Sequence, residues 1–431
     1  QSPIPNPQSP IPNPHIWYYI RFKKFYKKTT KKINNFFIYL NNKMLLLNIS
    51  PIYLRCGALI ENSEMLEKEL DYYKEQFLYI KPDMMLNFNS KKLLLFQFNY
   101  FSIEKFKKSP DYEFLEKFEV IKDIDLDEKE SKLLERNLFN HKDSTTILSE
   151  PRNKSKIPSC YYCGRITGKK ENLIYKLFQK KCVKYGTSTD LSIKAIDYIN
   201  NNFSKSFFSL PKESIGNLVR VGNSKNNTNK TLSKEYIKLK KDLYPYILST
   251  GDEGNNIYRV DSVDSHTKIG SSVIGSTTIW SLFNLTCDYE DLEFAMKEAF
   301  KGNNEHVDLS VGDIYGGNYS GVGLDSSLIA SSFSKINVTD KNLIENKDMG
   351  KALAIFYGVT YSRVSAMLAS KEKINRILIS GDTYDSLELM QMIESSIDTY
   401  SGNEINTVFC DYSNFLAIIG MVVELNKDGI L

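Results

Sequence analysis

A chain of 431 residues is long enough to bury a full hydrophobic core, and we expect either two lobes of one fold or two to three small domains. Its formal net charge is only +4, with much of the local excess in the first 43 residues, so nucleic-acid binding has little support outside that stretch. No apolar run reaches the roughly 18 to 20 residues that span a bilayer, which favours a soluble chain without membrane association.

Six cysteines are scattered along the chain, at positions 56, 160, 163, 182, 287 and 410. This scatter favours reduced thiols and a cytoplasmic location over a disulfide framework. Cys160 and Cys163 have the spacing of a metal or redox pair, but no second such pair and no close histidine pair follows them. Since a structural zinc site needs four ligands, we predict ordinary thiols and no metal site.

The first 43 residues lack the signals of a folded element. Residues 1–14 are a proline-rich heptad repeated twice, and a basic stretch rich in aromatic residues follows it. We expect a disordered tail, with ordered protein beginning near Met44. We place an N-terminal lobe over 44–240, with exposed or loop-like insertions near 107–159 and 200–229, and a C-terminal lobe over 241–431.

Predicted strands and helices alternate along the chain. The clearest helix runs from Asp288 to Phe300, with a capping residue, an apolar stripe and a glycine stop at Gly302. A longer helix with an apolar face is predicted from Asp340 to Leu368. The other predicted elements are strands at 44–54, from 91, at 243–250, 374–379 and 405–409, and helices at 387–400 and 415–425.

Residues 307–333 differ from the surrounding sequence, which is crowded with Asn, Lys, Ile and Tyr. Glycines, the paired tyrosines Tyr315 and Tyr319, and small hydroxyl residues replace that background. A backbone that makes close turns beside a ligand or a partner needs these residue types. The same turn-forming residues are also typical of a plain surface loop between two helices.

The order of residues in this stretch resembles the dimer-interface segment of the eukaryotic-type (type II) pantothenate kinases. The matching groups are Val307-Asp308, Asp313 to Tyr319, Gly323-Leu324 and Ala330 to Phe333. The resemblance implies an α/β protein with the two-lobed actin/hexokinase-like (ASKHA) fold, in which residues 288–370 contain the dimer interface. It also implies that Tyr315, Tyr319 and Ile329 reach across that interface and cover the pantothenate pocket of the neighbouring subunit.

The motifs that hold the nucleotide in that family are eroded in this chain. The turn at 250–256 keeps one family glycine, Gly254, and its Asp252 and Glu253 would place negative charge where triphosphate oxygens must lie. The first phosphate turn, at 48–52, has lost both glycines and has gained a proline. The other nucleotide-binding remnants that the resemblance implies are Gly275, Gly381 and Gly420.

The substrate side of the site is eroded in the same way. Lys268 stands where the family has an arginine that contacts the substrate, so the charge is kept but the bidentate fork is lost. The family uses a glutamate as general base on the pantothenate hydroxyl, and the gapless match puts Tyr175 and Lys176 in its region. Glu171 is the nearby carboxylate that a shifted alignment would recruit.

Two functional hypotheses follow, and a third stays open. The first is a catalytically impaired subunit that pairs with an active pantothenate kinase paralogue, or with itself, and completes the partner's pantothenate pocket without using ATP of its own. The alternative is an active kinase that uses ATP and Mg²⁺ to phosphorylate pantothenate, with acyl-CoA as a family feedback ligand. A scaffold unrelated to coenzyme A is the third class.

Overall fold

The computed structural model describes residues 44–49, 53–61, 84–88, 91–99, 160–164, 183–211, 218–222, 232–239, 243–251, 254–287, 292–381 and 386–429. The predicted tail over 1–43, the insertion near 107–159 and the residue Glu171 lie outside these ranges. By its internal contacts the chain divides into two compact units, and the described residues from 184 onward belong to the second.

A six-stranded sheet is built from the N-terminal part of the chain. Its strands are β1 (Met44–Ile49), β2 (Tyr53–Glu61), β3 (Met84–Phe88), β4 (Lys91–Asn99), β5 (Cys160–Gly164) and β6 (Val183–Lys184), in the order β3-β4-β2-β1-β5-β6. Strands β3 and β4 pair antiparallel, with Leu86 opposite Leu93, and both side chains are buried. The strands predicted from Met44 and from Lys91 are confirmed.

A seven-stranded sheet organises the second unit. The remaining strands of the described chain are β7 (Phe207–Ser209), β8 (Glu235–Ile237), β9 (Tyr246–Gly251), β10 (Asn255–Ser262), β11 (Ser265–Ser272), β12 (Leu309–Ser310), β13 (Ile329–Ser331), β14 (Arg376–Ser380) and β15 (Asn406–Cys410). The large sheet has the order β11-β10-β9-β14-β15-β7-β8, and β12 pairs with β13 separately. Strands β9, β14 and β15 run parallel, with antiparallel strands outside them on both edges. Every residue of β9 is buried, as expected for a parallel strand covered on both faces.

Helices follow the strands of this sheet. Those of the described chain are α1 (Ser188–Asn202), α2 (Ser276–Cys287), α3 (Leu292–Ala299), α4 (Val311–Tyr315), α5 (Asn346–Glu372), α6 (Leu387–Tyr400) and α7 (Leu416–Lys427). Helix α6 has the predicted bounds because Ser386 caps it, its side chain accepting a hydrogen bond from Leu389 N. The alternation of these strands and helices gives the mixed α/β architecture of the actin/hexokinase-like fold, which the sequence predicts.

Helix α5 begins six residues later than its sequence pattern indicates. Asp340 does not start it; its side chain instead caps a separate 3-10 turn at Lys341–Leu343. A reciprocal capping box between Glu345 and Asp348 then starts α5. By length and composition alone α5 could cross a membrane, but 61% of its apolar window is buried in the protein, as in a core helix.

Part of the stretch predicted as a loop near 200–229 is regular structure. Helix α1 continues to Asn202, and β7 places Phe207 and Phe208 in the core, where Phe208 stacks on Phe409 with ring centroids 5.7 Å apart. The loop prediction is wrong at these positions, because a three-residue strand carries too little sequence pattern to stand out among Ser and Asn residues. Its stability comes from its pairing with β15.

Candidate functional site

Two turns meet at the carboxyl-terminal edge of the large sheet. Strands β9 and β14 are parallel, with Ser380 opposite Thr250, so the backbone beyond both strands emerges at the same edge. Gly381 follows with φ at +130°, and a Cβ atom there would lie 2.5 Å from the backbone N of Gly251. Sheets with parallel central strands bind their ligands at such an edge. Of the four predicted nucleotide remnants, Gly254 follows β9 and Gly381 follows β14.

The retained glycines at this edge pack against the protein itself. A Cβ atom on Gly254 would lie 2.6 Å from the carbonyl oxygen of Ser272, so the pairing of β10 and β11 alone requires a glycine. Gly275 is buried directly before α2, and its carbonyl oxygen accepts a hydrogen bond from Ile279 N at 3.1 Å. The structure therefore gives Gly254 a packing role and places Gly275 at the start of α2.

Gly420 lies on α7, where that helix packs against α1. A Cβ atom at this position would lie 1.8 Å from the carbonyl oxygen of Leu191. An ion pair between Lys194 on α1 and Glu424 on α7, at 2.5 Å, joins the same two helices. Close helix packing therefore accounts for the glycine at 420 without a nucleotide.

Lys268 occupies the outermost strand of the sheet. It pairs with Tyr258 in β10, and its side chain is exposed. Four residues separate it from Ser272, which places it roughly 13 Å back along the strand from the turn edge. The structure thus does not bring Lys268 into contact with the retained glycines.

The described residues of this edge hold few acidic side chains that could bind a metal ion. Among them, no group of three or more His, Cys, Asp or Glu side chains is placed to hold a metal ion. The acidic residues Asp252 and Glu253, like Glu171, lie outside the described ranges. A Cβ atom on Gly254 would meet the carbonyl oxygen of Ser272, so this glycine is needed for the contact between β10 and β11.

Residues 307–335, here named the tyrosine segment, form a closed loop that is fastened at its base by a buried carboxylate. Asp308 is 0% exposed and accepts hydrogen bonds from Phe333 N at 2.8 Å and from the Asn304 side-chain amide at 2.6 Å. Burial raises the pKa of Asp308, although these hydrogen bonds and the charge of Lys351 oppose that effect. Phe333 has a left-handed backbone with φ at 61°, which is uncommon for an aromatic residue.

A second carboxylate fixes the short helix α4 within the tyrosine segment. Ser310 caps α4, and Asp313 returns the contact by accepting from Ser310 N at 2.8 Å. Lys335 forms an ion pair with the same carboxylate at 2.7 Å. Burial alone would raise the pKa of Asp313, but the hydrogen bonds from Lys335 and Ser310 outweigh it and lower the pKa.

The two tyrosines are presented at the outer end of the tyrosine segment. Tyr315 ends α4, Gly316 follows in the left-handed conformation with φ at 76°, and Tyr319 then leads into a 3-10 turn. The rings of Tyr315 and Tyr319 stack with centroids 4.3 Å apart, and they are 55% and 39% exposed. The structure therefore brings together two of the three residues predicted to cover a partner's pocket.

Ile329 occupies a different position, at the base of the loop. It lies in β13 opposite Ser310, and its side chain is half-buried. The sequence did not predict that three apolar residues of the same loop are exposed together with the tyrosines: Ile314, Val322 and Leu324. Their spacing follows neither a helical nor a strand period, so the sequence carried no signal for them beyond their place among the glycines.

Comparisons with known proteins show which family the chain is similar to. The family model described as Fumble matches residues 95–424, more than three quarters of the chain. Pantothenate kinase 2 of Oryza sativa subsp. japonica is 29% identical over 206 residues, which cover 46% of this chain and 22% of the relative. Pantothenate kinase 1 of Arabidopsis thaliana is 28% identical over 201 residues, which cover 46% and 52%.

A mouse protein named 4'-phosphopantetheine phosphatase is similar too, 29% identical over 184 residues that cover 42% of this chain and 22% of the relative. The chain thus spans between about a fifth and a half of the length of these relatives.

Among solved structures, component A of (R)-2-hydroxyglutaryl-CoA dehydratase from Acidaminococcus fermentans is 8% identical with a TM-score of 0.40, covering 90% of this chain and 99% of that one. The glucokinase of Balamuthia mandrillaris is 10% identical with a TM-score of 0.36, covering 91% and 97%. Similarity at this level says nothing about activity.

Proposed function

The chain belongs to the Fumble family, the type II pantothenate kinases, and on that premise we propose that it is a catalytically impaired subunit that pairs with an active pantothenate kinase paralogue in coenzyme A synthesis. Its tyrosine segment would complete the pantothenate pocket of the partner. The site of the proposed complex would therefore be shared, with the phosphoryl chemistry on the paralogue and one wall of the substrate pocket on this chain.

The observation that carries this proposal is the contrast between two surfaces. Tyr315 and Tyr319 are stacked, exposed and held on a fastened loop, with more exposed apolar side chains around them. Clustered apolar and aromatic side chains on a surface mark an interaction site. At the turn edge of the sheet, in contrast, Gly254 is closed against the carbonyl of Ser272.

The two tyrosine rings would line the partner's substrate pocket in such a complex. The two rings form a rigid apolar wall, and a wall of this kind excludes water from a partner's site and limits the positions that the substrate can adopt. Aromatic residues suit this task because they present a large area with few rotatable bonds. In a partner that binds them, ATP supplies the phosphoryl group and Mg²⁺ offsets the charge that develops during transfer.

Co-expression of the full chain with each pantothenate kinase paralogue from the same genome tests the proposal. We expect no ATP-dependent phosphorylation of pantothenate by the chain alone, and a stable complex with one paralogue that has a lower KM for pantothenate than the paralogue alone. A paralogue that neither binds the chain nor changes its KM in the presence of the chain would overturn the proposal.

One observation keeps a second candidate function, an active ATP-dependent pantothenate kinase. Gly381 and Gly251 still bring two turns together backbone to backbone at the edge where such folds bind ligands. Phosphorylation of pantothenate by the isolated chain, lost on removal of Mg²⁺, would establish that activity and reject the impaired-subunit proposal.

A further inference from the structure

A single carboxylate oxygen of Asp313 receives three donors. Its Oδ2 atom accepts from Ser310 N at 2.8 Å, from Ser310 Oγ at 2.6 Å and from Lys335 Nζ at 2.7 Å. The first two contacts are local and belong to the cap of α4. The third comes from a residue 22 positions further along the chain, so it joins α4 to the end of the tyrosine segment.

Lys335 makes two more contacts at the base of the loop. Its ammonium group donates to the carbonyl oxygen of Glu305 at 3.0 Å, and its backbone N–H donates to the carbonyl oxygen of Val307 at 3.1 Å. Its side chain is 18% exposed, less than that of a surface lysine. Lys335 thus connects the residues before the loop with the helix inside it.

Helix α4 needs such an external fastening. It has five residues, fewer than an isolated helix requires for stability in water. Beyond it the loop is open around its glycines, since a Cβ atom on Gly316, Gly317 or Gly323 would meet nothing within 4 Å. The start of α4 is held by backbone hydrogen bonds from Val311 N to Leu328 O and from Gly312 N to Ser326 O, and the Asp313–Lys335 ion pair adds the side-chain contact that joins it to the end of the loop.

We infer that Lys335 is a positioning residue: through Asp313 it fixes α4 so that the Tyr315–Tyr319 pair is held in its binding orientation before a partner arrives. This inference rests on the proposed function, because it assigns the tyrosine pair to a partner's substrate pocket. Loss of the Lys335 ammonium group leaves the fold intact and loosens α4. The variant must then order α4 when it binds its partner, which weakens binding, whereas α4 of the native chain is already ordered.

Three full-length variants test the inference: Lys335→Met removes the charge, Lys335→Arg keeps it, and Lys301→Met is the matched control. Lys301 is a more exposed lysine that forms a 2.5 Å ion pair with Glu298 outside the tyrosine segment. Hydrogen exchange of the isolated chain reports on α4, and titration with the purified paralogue reports on pairing. We expect Lys335→Met to exchange roughly 1.5- to 5-fold faster at the amides of 312–316, in keeping with one ion pair.

The same variant is expected to pair several-fold more weakly and to raise the KM for pantothenate of the complex, with kcat and the melting temperature little changed. Lys335→Arg and Lys301→Met should match the native chain. The inference would be overturned if Lys335→Met had the amide exchange rates and the paralogue affinity of the native chain. A general loss of thermal stability in this variant would also overturn it. If Tyr315 and Tyr319 prove dispensable for pairing, the proposed function fails, and the exchange rates alone still decide whether Lys335 fixes α4.

Discussion

The rings of Tyr315 and Tyr319 lie parallel, 4° apart in orientation and 4.3 Å between centroids, although they belong to different turns. Gly316 ends the helix that carries Tyr315, and the backbone N–H and carbonyl of Tyr319 pair with Leu324 in the next turn. The stack is therefore built by the loop and not by helical spacing. Stacked aromatic rings that remain in contact with water offer a preformed surface for a partner.

Replacement of both tyrosines by alanine is expected to weaken pairing with the active paralogue by at least about 30-fold, because interface aromatic residues contribute ~2 kcal/mol or more when truncated. The free energy of unfolding of the isolated chain should change by less than about 1 kcal/mol, since both rings are largely exposed. Isothermal titration and urea denaturation measure the two quantities. Tyr400→Ala, which removes an exposed tyrosine from α6, is the control; a loss of pairing in that variant as well would contradict a specific role for the stack.

Substitution of Gly420 by alanine is expected to destabilise the second unit by about 3 kcal/mol or more. The added methyl group would lie 1.8 Å from the Leu191 carbonyl, and a backbone atom within a helix cannot move aside without separating α1 from α7. Urea denaturation measures the change. Gly317→Ala is the matched control, because nothing lies within 4 Å of its Cβ position, and it should change stability by less than about 0.5 kcal/mol. A small effect of Gly420→Ala would mean that the two helices are not in close contact.

Asp308→Asn is expected to change how stability depends on pH. The pKa of Asp308 is raised above 3.8 by burial, so between that value and the raised pKa the folded state holds a proton that the unfolded state has released. The contribution of this carboxyl group to stability therefore falls as pH rises through that window. Asp308→Asn removes the dependence, so its stability relative to the native chain should be more favourable at pH 7 than at pH 4.

The side-chain amide that this substitution introduces can keep both hydrogen bonds, because Asn304 has a buried side-chain oxygen without a partner and can turn its own amide to accept. Asp308→Ala cannot, and the unpaired amides of Phe333 and Asn304 should cost about 2 to 3 kcal/mol. Thermal melts across pH measure both variants. Parallel pH profiles for the native chain and Asp308→Asn would disprove the role of burial, and equal losses in the two variants would disprove the repaired hydrogen bonds.

The isolated chain is expected to bind MgATP more weakly than a Kd of about 1 mM. The turn that would hold the phosphates keeps only one family glycine, Gly254, and its acidic residues Asp252 and Glu253 repel a phosphate group. Calorimetric titration with MgATP, with the active paralogue as positive control, measures this affinity. Binding at micromolar concentrations would move the assignment to the active kinase.

The sequence predicted those parts of the fold in which a local signal and burial agree. Helix α6 has both a serine cap and an apolar face, and its predicted bounds are the observed ones. Strand β7 has neither length nor a clear period, so only its pairing with β15 reveals it. Helix α5 started late because Asp340, a good capping residue, caps a different turn.

The candidate site likewise has features that the sequence predicted and features that only the structure shows. Tyr315 and Tyr319 were identified from a resemblance between residue patterns, but the spacing of four residues would predict a shared helix face, and Gly316 rules that out. The link between Asp313 and Lys335 spans 22 positions and follows no period, so a sequence without structure offers no way to pair them. The packing roles of Gly254 and Gly420 depend on backbone atoms of other elements, which no sequence pattern encodes.

The contact between Gly420 and Leu191 limits where a recombinant fragment of this protein can begin. Helix α7 is buried along Leu416 to Val422, and part of its cover is α1, which begins at residue 188. A recombinant fragment that starts at 241 would contain α7 without α1 and would expose that apolar surface to self-association.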